Sequence, residues 1–208
     1  RKKKRAKNNR TLTVEPDEVE RLRPLITPAG RVTADFDFDN RIIQGDLLAV
    51  LDRIPDRVAD LIIVDPPYNL SKNFHGMSFQ ARSHEAYLDY LRSWFHRVCE
   101  KLKSTGSLYL CGDWRCTAAL QTVMDEELTV LNRITWQREK GKGALHNWKN
   151  AMEDIWFGVK DARHYYFDVE AVKQKRRVIA PYRQDGKPKD WQETSAGNFR
   201  LTCPSNFW

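Results

Sequence analysis

The sequence predicts an α/β fold in which crossover helices connect the strands of a mostly parallel sheet. From residue 41 onward, short apolar runs alternate with amphipathic stretches, which is the pattern of strands joined by helices. Residues 61–64 are continuously apolar, as in a strand that is covered on both faces. Residues 85–102 carry apolar side chains at helical spacing, so we expect one long amphipathic helix there.

The remaining elements follow the same alternation. We expect strands at 42–43, 107–111, 130–136 and 155–159, and helices at 14–25, 47–54 and 118–124. Residues 103–106 should end the long helix, and residues 194–208 should form a loop. The chain then divides into a disordered basic arm at 1–10, an N-terminal extension at 11–40, a catalytic region at 41–160 and a separate region at 161–208.

Length and composition exclude several classes of protein. A chain of 208 residues, 41% of them hydrophobic, can bury a core and is not disordered throughout. No stretch approaches the roughly 20 apolar residues of a spanning helix, and no apolar segment follows the basic N-terminus. We therefore expect no signal peptide and no membrane anchor, and a cytoplasmic location. The four cysteines lack CxxC spacing, which predicts reduced thiols and no metal site.

The charge balance points to a polyanionic partner. The net charge is +7 and the isoelectric point is near 9.3. Lysine and arginine gain affinity for nucleic acid by releasing the counterions condensed on its phosphates. A basic globule without such a partner is the alternative, and charge by itself does not separate the two.

The residues Asp65-Pro66-Pro67-Tyr68 come directly after the predicted strand at 61–64. Ligands of open α/β sheets bind at the carboxyl ends of strands. Two consecutive prolines hold the backbone extended, so the carbonyl of Pro66 is kept out of helix and turn hydrogen bonds. The sequence predicts a rigid platform with two acceptors, the Asp65 carboxylate and the Pro66 carbonyl, and one aromatic ring.

This platform suits the methylation of an exocyclic amine on a nucleobase. The lone pair of such an amine is delocalised into the ring, and two acceptors on its N–H bonds favour the pyramidal amine of the transition state. The base must leave the duplex at a cost of a few kcal/mol, and stacking on Tyr68 offsets part of that cost. We predict that Asp65, Pro66 and Tyr68 are the catalytic residues. A turn without function is the alternative, and the preceding strand argues against it.

The motif Asp65-Pro66-Pro67-Tyr68, together with four other segments, resembles the motifs of the DNA amino-methyltransferases. The resemblance is to the beta-class adenine-N6 group in particular, whose catalytic DPPY motif precedes a glycine-rich cofactor motif. The resemblance covers about residues 41–172 and depends on the order of its motifs more than on any one of them. It implies a Rossmann-like S-adenosylmethionine-dependent methyltransferase fold and double-stranded DNA as substrate. The matching segments are Ile43-Gln44-Gly45-Asp46, residues 65–70, residues 102–107, residues 134–136 and residues 150–157.

The resemblance also implies roles for individual residues. Asp65 and Pro66 would lie near the methionine part of S-adenosylmethionine, while Asp46, with Leu47 beside it, would receive the adenine end. A helix N-cap is a compatible second role for Asp46. The segment after the platform would be a mobile loop against DNA, and Trp136 would lie beside the target-base pocket or in the core. Residues expected at the target base or the DNA are Pro67, Tyr68, Lys72, Asn73, His75 and Trp136.

The sequence also departs from this family. It contains no F-x-G-x-G and no Thr-Gln-Lys-Pro segment, and Met152 stands where the family usually has His. We therefore expect a fold that is incomplete at its C-terminal end, with 161–208 as the start of the DNA target-recognition region. A homodimer and a cognate restriction enzyme are further partners that the family suggests.

Three readings of the activity remain at this point. Asp65 favours adenine N6, because the family tends to use Ser at that position for cytosine. A cytosine-N4 methyltransferase is the nearest alternative, since the amine chemistry is the same. A non-catalytic DNA-binding half-enzyme that lacks the donor site is the third.

Overall fold

The computed structural model describes residues 12–74, 77–138, 145–179 and 182–208. The chain divides into two compact units, residues 1–55 and 56–208. The predicted basic arm at 1–10 and His75 lie outside the described residues. Within the described ranges, no helix combines the length and the apolar character needed to cross a bilayer.

The first unit contains α1 (Pro16–Leu22), β1 (Ile26–Pro28) and β2 (Ile42–Gln44). The helix predicted at 14–25 is confirmed, with its last residues forming a 3-10 turn. The strand predicted at 42–43 exists, but it is not the buried strand that its two isoleucines indicate. It pairs in parallel with β1 in a two-stranded sheet, and Ile42 is 65% exposed.

The helix predicted at 47–54 is also wrong, because the structure has two 3-10 turns at Leu47–Ala49 and Leu51–Arg53. Pro55 disfavours helical backbone in the residue before it, and Ile54 is indeed extended. The stretch left between Asp46 and Ile54 is too short to repay the cost of starting an α-helix.

The second unit is built on a four-stranded sheet in the order β3 (Ala59–Val64), β6 (Leu102–Gly112), β8 (Met152–Val159), β7 (Thr129–Gln137). β3 is parallel to β6, whereas β8 is antiparallel to both of its neighbours. Strands β3, β6 and β7 thus run in one direction. The expected α/β layering is confirmed, but the expectation of a mostly parallel sheet is wrong because β8 is inserted between β6 and β7 in the opposite direction.

Helices α2 (His84–Glu100) and α3 (Thr117–Glu127) are the crossover connections from β3 to β6 and from β6 to β7. The helices predicted at 85–102 and 118–124 are confirmed, although residues 103–106 belong to β6 rather than to a helix end. The α3 helix lies directly on the sheet at two glycines. A Cβ atom at Gly112 would come within 2.1 Å of Leu120, and one at Gly158 within 2.6 Å of Met124.

The sheet face opposite the two helices is covered unevenly. Phe157 of β8 stacks on Tyr109 of β6 with ring centroids 4.7 Å apart, and Tyr165 packs against Phe157 from outside. On β3, Leu61 and Ile63 are 54% and 67% exposed. The expectation that both faces of 61–64 are covered is therefore wrong. The helices cover one face of the sheet, and the cover on the other face lies over β8.

Beyond residue 160 the described chain forms a small antiparallel module that the sequence did not predict. It contains α4 (Val169–Val172), a three-stranded sheet in the order β12 (Gln192–Thr194), β13 (Gly197–Thr202), β9 (Gln174–Arg177), and the hairpin β10 (Arg183–Gln184) with β11 (Lys187–Pro188). The loop expected at 194–208 is wrong for β13, because this short strand carries no clear apolar alternation. Trp191 is buried here, and its indole Nε1 donates to the carbonyl of Tyr182 at 2.7 Å.

Candidate active site

Four strand ends meet at one edge of the main sheet. Strands β3, β6 and β7 end there, and the antiparallel β8 begins there, with Gly112 opposite Asp154 and Trp136 opposite Glu153. Side chains alternate between the two faces of a strand, so Cys111, Glu153 and Trp136 lie on the face opposite the helices. Asp65 follows β3 at the same edge.

Asp65 and Tyr68 interact with each other at this edge. Asp65 is exposed and Tyr68 is half-buried. Burial, then the hydrogen bond with the Asp65 carboxylate, and then the negative charges of Asp65 and Glu153 hold the pKa of Tyr68 far above its usual range. Tyr68 is therefore a neutral phenol that donates to Asp65. The structure brings together the carboxylate and the ring that the sequence predicted as parts of one platform.

The two prolines between them differ in environment. Pro66 is buried and Pro67 is exposed. Among the described residues, none donates a hydrogen bond to the Pro66 carbonyl, in line with the expectation that the prolines keep this oxygen out of turns. The Pro67 carbonyl accepts a hydrogen bond of 3.0 Å from the hydroxyl of Tyr87 on α2. The buried Tyr87 side chain thus restrains the platform through the Pro67 carbonyl.

The segment after the platform is a β-hairpin rather than the predicted loop. It consists of β4 (Lys72–Phe74) and β5 (Met77–Phe79), with Lys72 opposite Phe79 and Asn73 opposite Ser78. Lys72 and Asn73 are exposed. The loop prediction failed because a three-residue strand is too short for a periodic pattern to identify. The DNA-contacting role of these residues stays a prediction.

Trp136 and Glu153 are neighbours across β7 and β8. Trp136 is 49% exposed, so of the two environments predicted for it the core is excluded. The Glu153 side chain is mostly buried and accepts from the guanidinium of Arg138, the residue that directly follows β7. No pattern in the sequence predicted a role for Glu153. An acidic residue at the start of an apolar strand, close in chain order to the other motifs, could have indicated it.

Asp154 is a second carboxylate for which the sequence predicted no role. Its side chain is 2% exposed, and Oδ1 lies 3.2 Å from Nε of Arg133 on β7. The two atoms are close enough for electrostatic attraction but not aligned for a hydrogen bond, and Oδ1 has no hydrogen-bond partner among the described residues. This pair connects β7 with β8 at the edge where the platform lies.

The predicted cofactor contacts Asp46 and Leu47 belong to the first unit. Oδ1 of Asp46 accepts from the amide of Leu48 at 3.0 Å, which confirms Asp46 as an N-cap, here of a 3-10 turn. Leu47 is 44% exposed. Their contact with a cofactor stays a prediction.

Cys111 lies on the same strand face as the acidic groups of the site. Burial, together with the negative charges of Asp65 and Glu153, raises its pKa to about 11. The thiol is therefore protonated at neutral pH, when it is a poor nucleophile.

Comparison with known proteins identifies the family. A family described as DNA methylase matches residues 59–194. "DNA adenine methyltransferase YhdJ" of Escherichia coli (strain K12) is 33% identical over 150 residues, which cover 69% of this chain and 51% of that protein. "Type II methyltransferase M.HpaI" of Haemophilus parainfluenzae is 24% identical over 172 residues, which cover 82% of this chain and 50% of that protein. The chain spans about half the length of these relatives.

A solved structure shares the fold. PvuII DNA methyltransferase, described as cytosine-N4-specific, aligns with a TM-score of 0.51 and 15% identity over 81% of this chain and 56% of the other. Residues 59–194 include the platform and all four strands of the main sheet. The chain therefore belongs to the DNA methylase family of N6/N4 methyltransferases.

Proposed function

We propose that this chain carries the amine-activating and DNA-contacting part of a site-specific methyltransferase that transfers a methyl group from S-adenosylmethionine to adenine N6. The observation that carries the proposal is the position of the exposed Asp65 carboxylate beside the half-buried Tyr68 phenol, directly after the carboxyl end of β3. In this arrangement the carboxylate can accept a hydrogen bond from an exocyclic amine, and the ring can stack on the base that bears it.

The chain's own residues perform the activation. Asp65 and the Pro66 carbonyl accept from the two N–H bonds of the target amine, and their acceptor power matters most when the amine becomes pyramidal and positively charged. Tyr68 orients the Asp65 carboxylate through its hydroxyl and stacks its ring on the extruded base. Asp65 or water then takes the proton that the methylated amine loses.

The bound donor would supply an electrophilic methyl group on a positively charged sulfonium. The charge of the site fits such a cation, because Asp65 and Glu153 both act on Tyr68 as negative charges. Asp65 and Pro66 would lie beside the donor in the second unit.

Adenine is the proposed base for two reasons. Asp65 stands where cytosine-N4 members of the family tend to carry Ser, and the Escherichia coli relative at 33% identity is described as an adenine methyltransferase. The PvuII protein is described as cytosine-N4-specific, but at 15% identity it shares only the fold.

The test is methylation of unmodified plasmid DNA with labelled S-adenosylmethionine, followed by digestion to nucleosides. We expect the label in N6-methyladenine. Label confined to N4-methylcytosine would overturn the base assignment. DNA binding without any label or donor binding would instead identify a DNA-binding half-enzyme.

We also propose that the strands of the antiparallel module, within residues 173–208, contact the DNA. Residues 173–208 contain eight basic and three acidic residues. Several basic groups lie over aromatic rings, with Lys175 4.6 Å from the ring centroid of Phe199 and Arg183 5.0 Å from that of Trp191. This stacking holds long cationic side chains in fixed positions, where they can meet phosphates with a smaller loss of entropy.

A groove of about 470 Å³ crosses this module, and Lys175, Lys189 and Arg200 line it. One acidic residue, Asp190, pairs with Arg200 at 3.2 Å. The groove thus retains positive charge, which fits a phosphate backbone.

Duplex binding measured by fluorescence anisotropy at several salt concentrations tests this surface. In the double variant Lys175→Gln with Lys189→Gln, we expect the slope of log affinity against log salt to fall by about 2. Lys103→Gln is the matched control, since Lys103 pairs with Asp60 at 2.8 Å at the other end of β6. An unchanged slope in the double variant would exclude the groove as a phosphate contact.

A further inference from the structure

The platform has few backbone groups with which to anchor itself. Pro66 and Pro67 carry no N–H, so neither can donate a backbone hydrogen bond. The proline rings fix φ but leave ψ adjustable. Rotation about ψ of Pro67 turns the Pro67 carbonyl, and it also swings Tyr68 relative to Asp65. Whatever holds the Pro67 carbonyl therefore determines where the stacking ring lies.

Tyr87 holds this carbonyl. It lies in the first turn of α2, is 1% exposed, and its hydroxyl donates to the Pro67 oxygen at 3.0 Å. The ring of Tyr87 is packed between Phe79 of β5 and Tyr90 of α2. The donor is thus fixed on a buried helix position, whereas its acceptor lies on an exposed turn.

Two further interactions restrain the same turn. The Asn69 side chain donates to the Arg82 carbonyl at 2.9 Å and accepts from the Arg82 amide at 2.7 Å. The guanidinium of Arg82 in turn lies over the ring of Tyr90, 4.8 Å from its centroid. The turn is therefore connected to the start of α2 on both sides of Tyr68.

Cys116 adds a further contact to Tyr87 and to the turn. Its buried thiol interacts with the Tyr87 hydroxyl and with the Asn69 backbone, and its Sγ donates to the Asp113 carbonyl at 3.1 Å. The supporting groups come from α2 and from the turn before α3, both in the second unit.

We propose that Tyr87 is a positioning residue for methyl transfer, which fixes ψ of Pro67 and thereby sets the Tyr68 ring beside the Asp65 carboxylate. This inference rests on the proposed function. In this role Tyr87 touches neither the base nor the donor. Its effect on the reaction passes through the Pro67 carbonyl.

Tyr87→Phe is the test, because it keeps the packed ring and removes only the hydroxyl. We expect kcat to fall roughly tenfold, as small misplacements of reacting groups do, while KM for DNA and for S-adenosylmethionine stays within about twofold. A residue important only for folding would not separate kcat from KM in this way. Tyr109→Phe is the matched control, since it removes a hydroxyl from the stacked pair with Phe157.

Amide hydrogen exchange gives a readout that is independent of methylation. Because Pro66 and Pro67 have no amide hydrogen, a peptide over residues 65–71 reports mainly on the amides at 68–71. Loss of one hydrogen bond of about 1 kcal/mol should speed exchange there roughly fivefold, with the middle of α2 unaffected. If Tyr87→Phe unfolds globally, Asn69→Ala provides the second test, because it removes both hydrogen bonds to Arg82.

Unchanged exchange at 68–71, unchanged kcat, or a rise in KM that accounts for the loss of activity would each overturn the positioning role. A wild-type protein that methylates neither base would overturn the proposed function instead. Exchange at 68–71 would then decide whether the Tyr87 restraint exists.

Discussion

Asp65→Asn is the substitution that tests the platform most directly. The amide retains one carbonyl oxygen, to which Tyr68 can still donate, so the hydrogen bond between the two side chains survives. The negative charge is lost, and the NH₂ group cannot accept from the target amine. The change therefore removes transition-state stabilisation while leaving the stacking ring in place.

The expected magnitude follows from this geometry. Removing one positioned group that stabilises developing charge costs about 2.7–4 kcal/mol, or a factor of 10² to 10³ in the rate of the chemical step. Asp65 is exposed, so the same change should move the free energy of unfolding by less than about 1 kcal/mol. Asp65→Ala should be less specific, because it also deprives the half-buried Tyr68 hydroxyl of its partner.

Single-turnover methylation with enzyme in excess over labelled duplex isolates the chemical step. Asp161→Asn is the matched control, because Asp161 follows the carboxyl end of the antiparallel β8 and thus lies at the opposite edge of the sheet. DNA affinity, measured by anisotropy, should stay within about threefold in both variants. A rate for Asp65→Asn within about threefold of the control would refute the role of the carboxylate.

Other outcomes depend on packing and charge in the second unit. Gly158→Ala places a methyl group against Met124 of α3. It should lower the free energy of unfolding by about 1 kcal/mol, the low end for overpacking, because a methionine side chain is flexible. Urea unfolding should show a lower midpoint at a constant slope. The hydrogen bond to Glu127 raises the pKa of His96. The stabilisation that the protonated His96 gains from Glu127 is thus complete below about pH 6 and is lost as pH rises through the folded-state pKa. The His96→Gln variant lacks this stabilisation at every pH. The difference in unfolding free energy between wild type and variant should therefore shrink from pH 6 to pH 9. Iodoacetamide at pH 8 should label the exposed Cys203 first and Cys99 last, because burial raises the pKa of Cys99 to about 12; mass spectrometry of the native protein checks the order.

Local patterns predicted the parts of this fold that have strong periodicity. The long helix at 85–102 and the helix at 118–124 were found within a few residues, since an amphipathic stripe depends only on spacing along the chain. Short segments failed for the same reason. Strands β4, β5 and β13 offer too few residues for a period to appear.

Local sequence patterns could not predict the direction of each strand in the sheet or which strand faces are buried. An apolar run such as 61–64 indicates a strand, but whether each face is covered depends on distant segments. The insertion of β8 between β6 and β7 is likewise a matter of pairing between segments that are far apart in the chain.

The sequence by itself determined the platform: an apolar strand ended by Asp65, two prolines that fix the backbone, and an aromatic ring at Tyr68. These properties are local, because each of them depends only on a residue and its immediate neighbours in the chain. Only the tertiary structure brought Glu153 to the same edge and placed the Tyr87 hydroxyl under Pro67. Residues far apart in sequence become neighbours through strand order and helix packing, and no local pattern specifies either.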